Sequence, residues 1–517
     1  MRSSFSPPMV TLAVQLAALL PAPAPAQRAP QLEALDSYVV KGMRDWAVPG
    51  LAIAVVRNDS VIFLKGYGVR ELGKPDPVDE HTLFAIASTT KAMTAASVGM
   101  LVDEGKVRWN DPVTAHLPAF QLSDPYITRE LTVRDLLTHR SGLGNTDYLW
   151  YGNDVSTGEV LRRVRYAKPT SSLRSQFVYQ NVMYAVAGEV VSSASGVPWA
   201  RFIQTRIFQP LGMTGSLPIA AERLKQTNMA SAHFRIDDTV RVIGGPLVNS
   251  VVDPIAPAGA IWSNVTDMSK WVRFILDSGR VNGRALLTPA TFRELLTPQV
   301  IVSPAEFYPT AKLTHPHWTT YGMGWFQEDY AGRAVDFHTG SIDGYVALIG
   351  LIPDERLGVY VLANLDHAEL RHALMYKVFD LFGQAGSARD WSGDFLKLYS
   401  GLRADGKAAE RKLESQRVAG THPSLPLDKY AGSYADSLYG TVVVSYSANA
   451  LHLRYGTSLM ADLEHWHYDS FRVRYSDRWL GKGMATFGLD ARGLPATLDL
   501  DGATFRRSPP SPSALSQ

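Results

Sequence analysis

The stretch VDFHTGSIDGYVALIGLIPDERLGVYVLANL, Val335 to Leu365, gathers aliphatic and aromatic residues into runs broken at Pro353-Asp354. It reads as consecutive strands joined by a turn. Far upstream, GLAIAVVRNDSVIFLKGYGV, Gly50 to Val69, holds two strand-like runs about Asn58-Asp59, the pattern of an antiparallel hairpin. Between them the period changes. Leu32 to Trp46, Ser88 to Glu104 and Tyr184 to Gly196 are apolar at helical spacing, and Gly105 supplies a stop for the second. Helix and hairpin at the start with strands at the end predict an α+β fold: one antiparallel sheet assembled from both chain ends, flanked by helices, with a mainly helical insertion.

Past this unit the composition shifts. Residues 390–425 are charged and helix-prone, contain RADGKAAERKLESQR and close at Pro423 and Pro426, so they read as a helical linker. Residues 426–508 are short alternating runs separated by glycine, asparagine and aspartate, which predicts a small all-β barrel. Residues 509–517 read as a disordered Pro/Ser-rich tail. At the other end, Arg2, the apolar run Val10 to Leu20 and Ala24-Pro25-Ala26 read as a cleaved export leader over residues 1–26, which places the hydrolase-sized remainder, 27–389, in the periplasm or the medium. The run is too short to span a bilayer, which takes about 20 apolar residues.

Composition narrows the chemistry. In 517 residues the formal charge is only +2, with no lysine or arginine tract to follow a phosphate backbone, so nucleic acid is not an expected partner. The chain has no cysteine, which excludes disulfides, a thiolate nucleophile and cysteine-ligated zinc. His465 and His467 flank Trp466 but lack a carboxylate or third histidine at ligand spacing, so no metal is assigned, and no cofactor.

Three polar motifs remain. Ser88 and Lys91 in STTK lie three apart and share a helix face. A serine hydroxyl is a poor nucleophile, and lysine serves as its base only if burial or nearby positive charge lowers the amine pKa. Alone the pair is no more than a helix cap and a surface lysine. Tyr179-Gln180-Asn181 adds a phenol within reach of proton transfer and an amide able to hold both lysine and substrate. His338-Thr339-Gly340 sits on a predicted strand, where glycine permits close approach to the backbone.

In this order the motifs resemble those of the serine β-lactamase and penicillin-binding-protein superfamily, in the branch of class C β-lactamases, D-alanyl-D-alanine carboxypeptidases, D-aminopeptidases and related esterases. The resemblance covers roughly residues 32–385 and extends to LTVRDLLTHRSGLG, IFQPLGM, PAGAIWSNVTDMSKW and YGMGW. The C-terminal segment resembles small β-barrel modules appended to some members. The resemblance implies that Ser88 becomes an acyl-enzyme, that Lys91 and Tyr179 share proton transfer, and that Asn181 orients Lys91 and substrate. It also implies an oxyanion site between the backbone N–H groups of Ser88 and Ser341, beside His338, Thr339 and Gly340. Substrates so implied are small molecules or peptides, D-amino-acid-containing or ester. A β-lactamase proper, or a muropeptide-binding sensor that acylates without turnover, are the other readings; oligomeric state is left open. Since no Gly-x-Ser-x-Gly elbow is present, Ser88→Ala is expected to abolish both hydrolysis and labelling by a serine-directed phosphonate, read by intact-protein mass spectrometry.

Overall fold

The computed structural model describes residues 30–509 apart from 250, 385 and 387. The leader read over residues 1–26 and the tail from 510 onward fall outside the described residues. The first element is helix α1 (Pro30–Trp46), followed by the hairpin of β1 (Gly50–Arg57) and β2 (Ser60–Gly68). Asn58 and Asp59 at its tip have φ of 48° and 65°. That left-handed pair is the primed turn whose twist suits a two-residue hairpin, and asparagine and aspartate tolerate it better than most residues.

Hydrogen bonding closes the sheet across the whole length of the chain. Strands β3 (Val300–Ile301), β4 (Thr319–Tyr321), β5 (Phe326–Tyr330), β6 (Arg333–Ile342), β7 (Tyr345–Ile352) and β8 (Leu357–Ala363) join the hairpin in the order β2-β1-β8-β7-β6-β5-β4-β3. Every pairing is antiparallel, and β1 meets β8 with Leu51 opposite Ala363 and Arg57 opposite Leu357. The sheet drawn from both chain ends is therefore present.

Both faces of that sheet are covered. On β1, Leu51, Ile53 and Val55 enter one core with α1 and α5 (Leu370–Phe382), while Ala52, Ala54 and Val56 enter a second core with α2 (Thr90–Asp103), α3 (Asn181–Ser195) and α4 (Val265–Leu276). Period-two alternation sorts large side chains to one side and small or β-branched ones to the other. A strand buried on both faces is apolar throughout, which is why β1, β7 and β8 carry so few polar residues. Each fully buried Leu or Ile contributes about 1.5–3 kcal/mol against exposure.

Helix α6 (Trp391–Ser415) carries the chain onward. Its first turn belongs to the sheet-side core, where Trp391 and Phe395 pack on Tyr376 with centroids 5.0 and 5.8 Å away. From residue 403 to its end it is exposed, and it reaches the following domain through Glu414 to Arg472 and Glu410 to Lys482. That domain is a closed barrel of eight sequential strands, β9 (Gly432–Asp436), β10 (Gly440–Ser447), β11 (Ala450–Tyr455), β12 (Leu459–His467), β13 (Ser470–Tyr475), β14 (Lys482–Leu489), β15 (Pro495–Leu500) and β16 (Ala503–Arg507). Closure of β16 on β9 leaves no open edge. Among the described residues no helix is long and apolar enough to cross a membrane.

One loop glycine fixes how the sheet sits on α2. Gly324, in YGMGW, has φ of +87°, and a Cβ there would lie 2.9 Å from the backbone N and Cα of Ala92. Gly324→Ala combines left-handed strain with overpacking against a helix backbone, together about 3 kcal/mol. The expected result is a lowered urea midpoint with an unchanged m-value; an unaltered midpoint would show that the loop absorbs the methyl group.

Candidate active site

Ser88 sits in a single 3-10 turn, Ala87–Thr89, that runs directly into α2. Ala87 just before it has φ of 46°, a conformation that costs an alanine about 1–2 kcal/mol. The turn presents Ser88 partly exposed while Lys91, one helical turn on, has no accessible surface. The spacing that made the pair legible thus splits it: the hydroxyl faces solvent and the amine the interior.

Three acceptors surround the buried amine. Lys91 Nζ lies 3.0 Å from Ser88 Oγ, 2.8 Å from Asn181 Oδ1 and 2.9 Å from the carbonyl oxygen of Ala258. It stands over the rings of Tyr179 and Tyr184, 4.8 and 5.4 Å from their centroids. Burial pulls its pKa down to about 7 against the opposing attraction of the Asp147 carboxylate. Burial also holds the Tyr179 phenol well above its ordinary value, with a hydrogen bond to Ser88 acting the other way.

Asn181 opens α3, and Gln180 caps it by accepting from the Val182 N–H. The Asn181 amide nitrogen donates to both oxygens of Asp147, 3.2 Å each, so one side chain links Lys91 to a carboxylate. His139, inside the segment LTVRDLLTHRSGLG, supports the same turn. It is buried with φ of 55°, its Nδ1 accepts from the Gln180 N–H at 3.0 Å, and its ring lies 4.3 Å from that of Tyr179. Burial and the field of Lys91 keep this imidazole neutral, far below its ordinary pKa.

The third motif forms the opposite wall. Beyond the Phe326–Phe337 pair β6 outruns β5, so from His338 onward that edge of β6 lies against the Ala87–Thr89 turn. At Gly340 the space a Cβ would take is filled by the Ile86 carbonyl and Ala87, so the close approach belongs to the chain itself. His338 is buried, with Nδ1 2.6 Å from the Thr339 carbonyl oxygen and Nε2 3.1 Å from the Tyr321 hydroxyl. Nδ1 therefore donates and Nε2 accepts. Burial, then Lys91, lowers its pKa to about 3, so the ring is neutral at pH 7. Thr339 Oγ1 bonds the Tyr308 hydroxyl at 2.6 Å, and Ser341 Oγ accepts from Arg371 at 2.8 Å. The Arg371 guanidinium also donates to the Gly340 carbonyl at 2.6 Å and grips Glu369 through Nε and Nη2 at 3.1 and 3.0 Å.

All eight residues read from the sequence thus lie in or beside one cleft. Asp147, His139, Ala258, Tyr308 and the Glu369–Arg371 pair were missed. Ala258 works through its carbonyl, which has no side-chain signature, and Asp147 lies in an aperiodic loop. His139 was inside a quoted segment, and a buried histidine flanked by Thr138 and Arg140 was its only signal. His465 Nε2 lies 3.0 Å from the Tyr468 carbonyl and His467 Nδ1 accepts from the Val418 N–H, so both rings are engaged in the barrel.

Comparison with known proteins agrees with this geometry. The Beta-lactamase family profile matches residues 35–380, and a domain of unknown function, DUF3471, matches 416–510. Unguisins hydrolase ungD of Aspergillus violaceofuscus is 29% identical over 503 residues, 90% of this chain and 87% of that protein. Protein flp of Staphylococcus aureus is 25% identical over 340 residues, 64% of this chain and 63% of its own length. Among solved structures, the octameric penicillin-binding protein homologue from Pyrococcus abyssi superposes with a TM-score of 0.60 at 22% identity, covering 92% of this chain and 99% of that one. A penicillin-binding protein from Bacillus halodurans gives 0.53 at 23% identity, covering 66% and 98%. With the family profile spanning the sheet, the helical insertion and the cleft, the chain belongs to the Beta-lactamase family, whose members are generally hydrolases.

Proposed function

We propose that the chain is an exported serine hydrolase that forms an acyl-enzyme on Ser88 and cleaves amide, peptide or ester substrates that carry no obligatory carboxylate. The carrying observation is the fully buried Lys91 amine 3.0 Å from Ser88 Oγ, with its other contacts taken by Asn181 and Ala258. As an ammonium, Lys91 uses all three N–H groups on these acceptors. As an amine it keeps two N–H bonds, to Asn181 and Ala258, and turns its lone pair to the Ser88 proton. Neutral Lys91 is then the base in acylation, because the raised pKa of Tyr179 keeps that group a phenol.

Each step balances on these residues. Ser88 Oγ bonds to the acyl carbon as its proton passes to Lys91. Collapse of the tetrahedral intermediate expels the leaving group, which takes a proton relayed from Lys91 through the Tyr179 hydroxyl. Water then attacks the ester, losing its proton along the same path, and Ser88 is released. The oxyanion lies between the Ser88 and Ser341 N–H groups, where each preorganised donor lowers the barrier by about 3 kcal/mol.

Electrostatics set the substrate class. A cationic residue at position 338 would attract a substrate carboxylate, whereas neutral His338 spends both ring nitrogens inside the chain, and Arg371 is bound to Glu369. This disfavours a β-lactamase proper. The leader-like residues 1–26 place the reaction outside the cytoplasm, and the relatives named hydrolases favour turnover over a sensor.

Two experiments test the reading. With an ester substrate, kcat/KM is expected to rise with pH through about 7 and then level, because only the unprotonated Lys91 is active. Lys91→Arg, a permanent cation, should lower activity by roughly 10³-fold or more, the scale of losing a general base; a flat profile from pH 5 to 9 would remove Lys91 from the base role. Wild type should hydrolyse cephalosporins poorly, with an ester-to-cephalosporin efficiency ratio constant from pH 5 to 8 because His338 does not titrate there. His338→Lys should shift that ratio towards the cephalosporin, and fast wild-type cephalosporin turnover would overturn the substrate assignment.

A further inference from the structure

The barrel has no interior to offer a ligand. Tyr430, Phe471 and Phe487 meet at its centre with ring centroids 4.9–5.6 Å apart, and Tyr434, Tyr455 and Phe505 complete the filling. Its informative surface is the side facing the cleft.

There, two barrel turns grip residues 148–153. The Tyr455 hydroxyl donates to the Tyr148 carbonyl at 2.5 Å and accepts from Asn153 Nδ2 at 3.0 Å. The Thr457 N–H donates to the Gly152 carbonyl at 3.2 Å. Leu459 fills the space beside Gly152, where a Cβ would lie 2.6 Å from its side chain. The Tyr148 ring stands edge-on to Tyr439 and Tyr455, centroids 6.2 and 6.3 Å apart. The Tyr151 hydroxyl donates to Asp343 in the turn after β6, tying the gripped segment to the opposite wall. Asp147, immediately before it, receives the Asn181 amide and the Trp150 indole N–H at 2.9 Å.

We infer that the C-terminal barrel is a positioning module for the active site: by clamping residues 148–153 it holds the Asp147 carboxylate on Asn181, and so fixes the amide that orients Lys91. The inference rests on the proposed role of Lys91. It gives the DUF3471 region a task that needs no ligand of its own. Tyr455 and Tyr439 touch neither substrate nor reacting atoms, so they are positioning residues acting through the loop. A clamp of this kind affects the rate of the chemical step more than substrate affinity, since a misplacement of about 1 Å can cost up to 10²-fold in rate.

The test uses the full-length protein. Tyr455→Phe removes the hydroxyl, and Tyr439→Ala removes the ring facing Tyr148 without touching the barrel centre. Each is expected to lower kcat about 5- to 20-fold with KM within twofold. Amide hydrogen exchange should rise in residues 145–153 and the first turn of α3, with the barrel strands still protected. Asp147→Asn should lower kcat at least as much, and adding Tyr455→Phe to it should cost no more, because both changes act through one contact. Unchanged exchange in 145–153, unchanged kcat despite faster exchange there, or fully multiplicative losses in the double variant would each overturn the inference. The exchange readout does not depend on catalysis, so a Ser88→Ala protein that remained active would overturn the acyl-enzyme reading while leaving the clamp measurable.

Discussion

An amine with no access to water is the constraint around which this molecule is organised. Lys91 could not remain a solvated ammonium at its position on α2. It is held instead by Ser88, Asn181 and a backbone carbonyl, under two aromatic faces. Desolvation disfavours the charged form, and an amine brought near neutrality is a competent base at physiological pH. The surrounding elements serve that burial. Gly324 lets the YGMGW loop lie on the helix backbone at Ala92, and Thr94 donates to the Pro257 carbonyl at 2.7 Å, docking the segment that offers Ala258.

Neutrality extends outward from Lys91. His139 and His338 are both kept uncharged by burial and by the lysine's own field, and both use ring nitrogens to brace backbone or tyrosine hydroxyls. The nearby charged groups come paired. Arg371 joins Glu369, whose burial alone would raise its pKa but whose partners Arg371, His367 and His372 hold it well below the usual carboxylate range. A cleft built this way has one adjustable proton inventory, shared by Ser88, Lys91 and Tyr179. Its titration therefore belongs to the group as a unit, with Lys91 the member closest to neutrality.

The same economy explains why two chain ends and a second domain converge on one site. Pairing β1 with β8 closes the sheet and places β6 against the nucleophile's turn. The helical insertion supplies α3, and the barrel reaches the loop that braces Asn181. Loops that carry polar function need support from rigid elements, and here that support comes from the sheet on one wall and the barrel on the other.

Period and punctuation made the fold legible. The hairpin about Asn58-Asp59, the strands around Pro353-Asp354, the helices starting near Ser88 and Asn181, and the alternating runs after residue 426 are local signals, because hydrogen bonding within strands and helices follows residue spacing. Ser88, Lys91, Tyr179 and Asn181 were visible for the same reason: their motifs are short and their chemistry is carried by side chains. Other features depended on contacts between distant segments. Whether Lys91 is buried, which carbonyl receives it, that His338 is neutral, that Gly340 is filled by Ile86 and Ala87, and that Asp147 is held from the barrel all follow from packing between residues tens to hundreds of positions apart. By itself the sequence determined the elements and the reacting groups; only tertiary structure decided their protonation, because desolvation is a property of what surrounds a side chain and not of its neighbours along the chain.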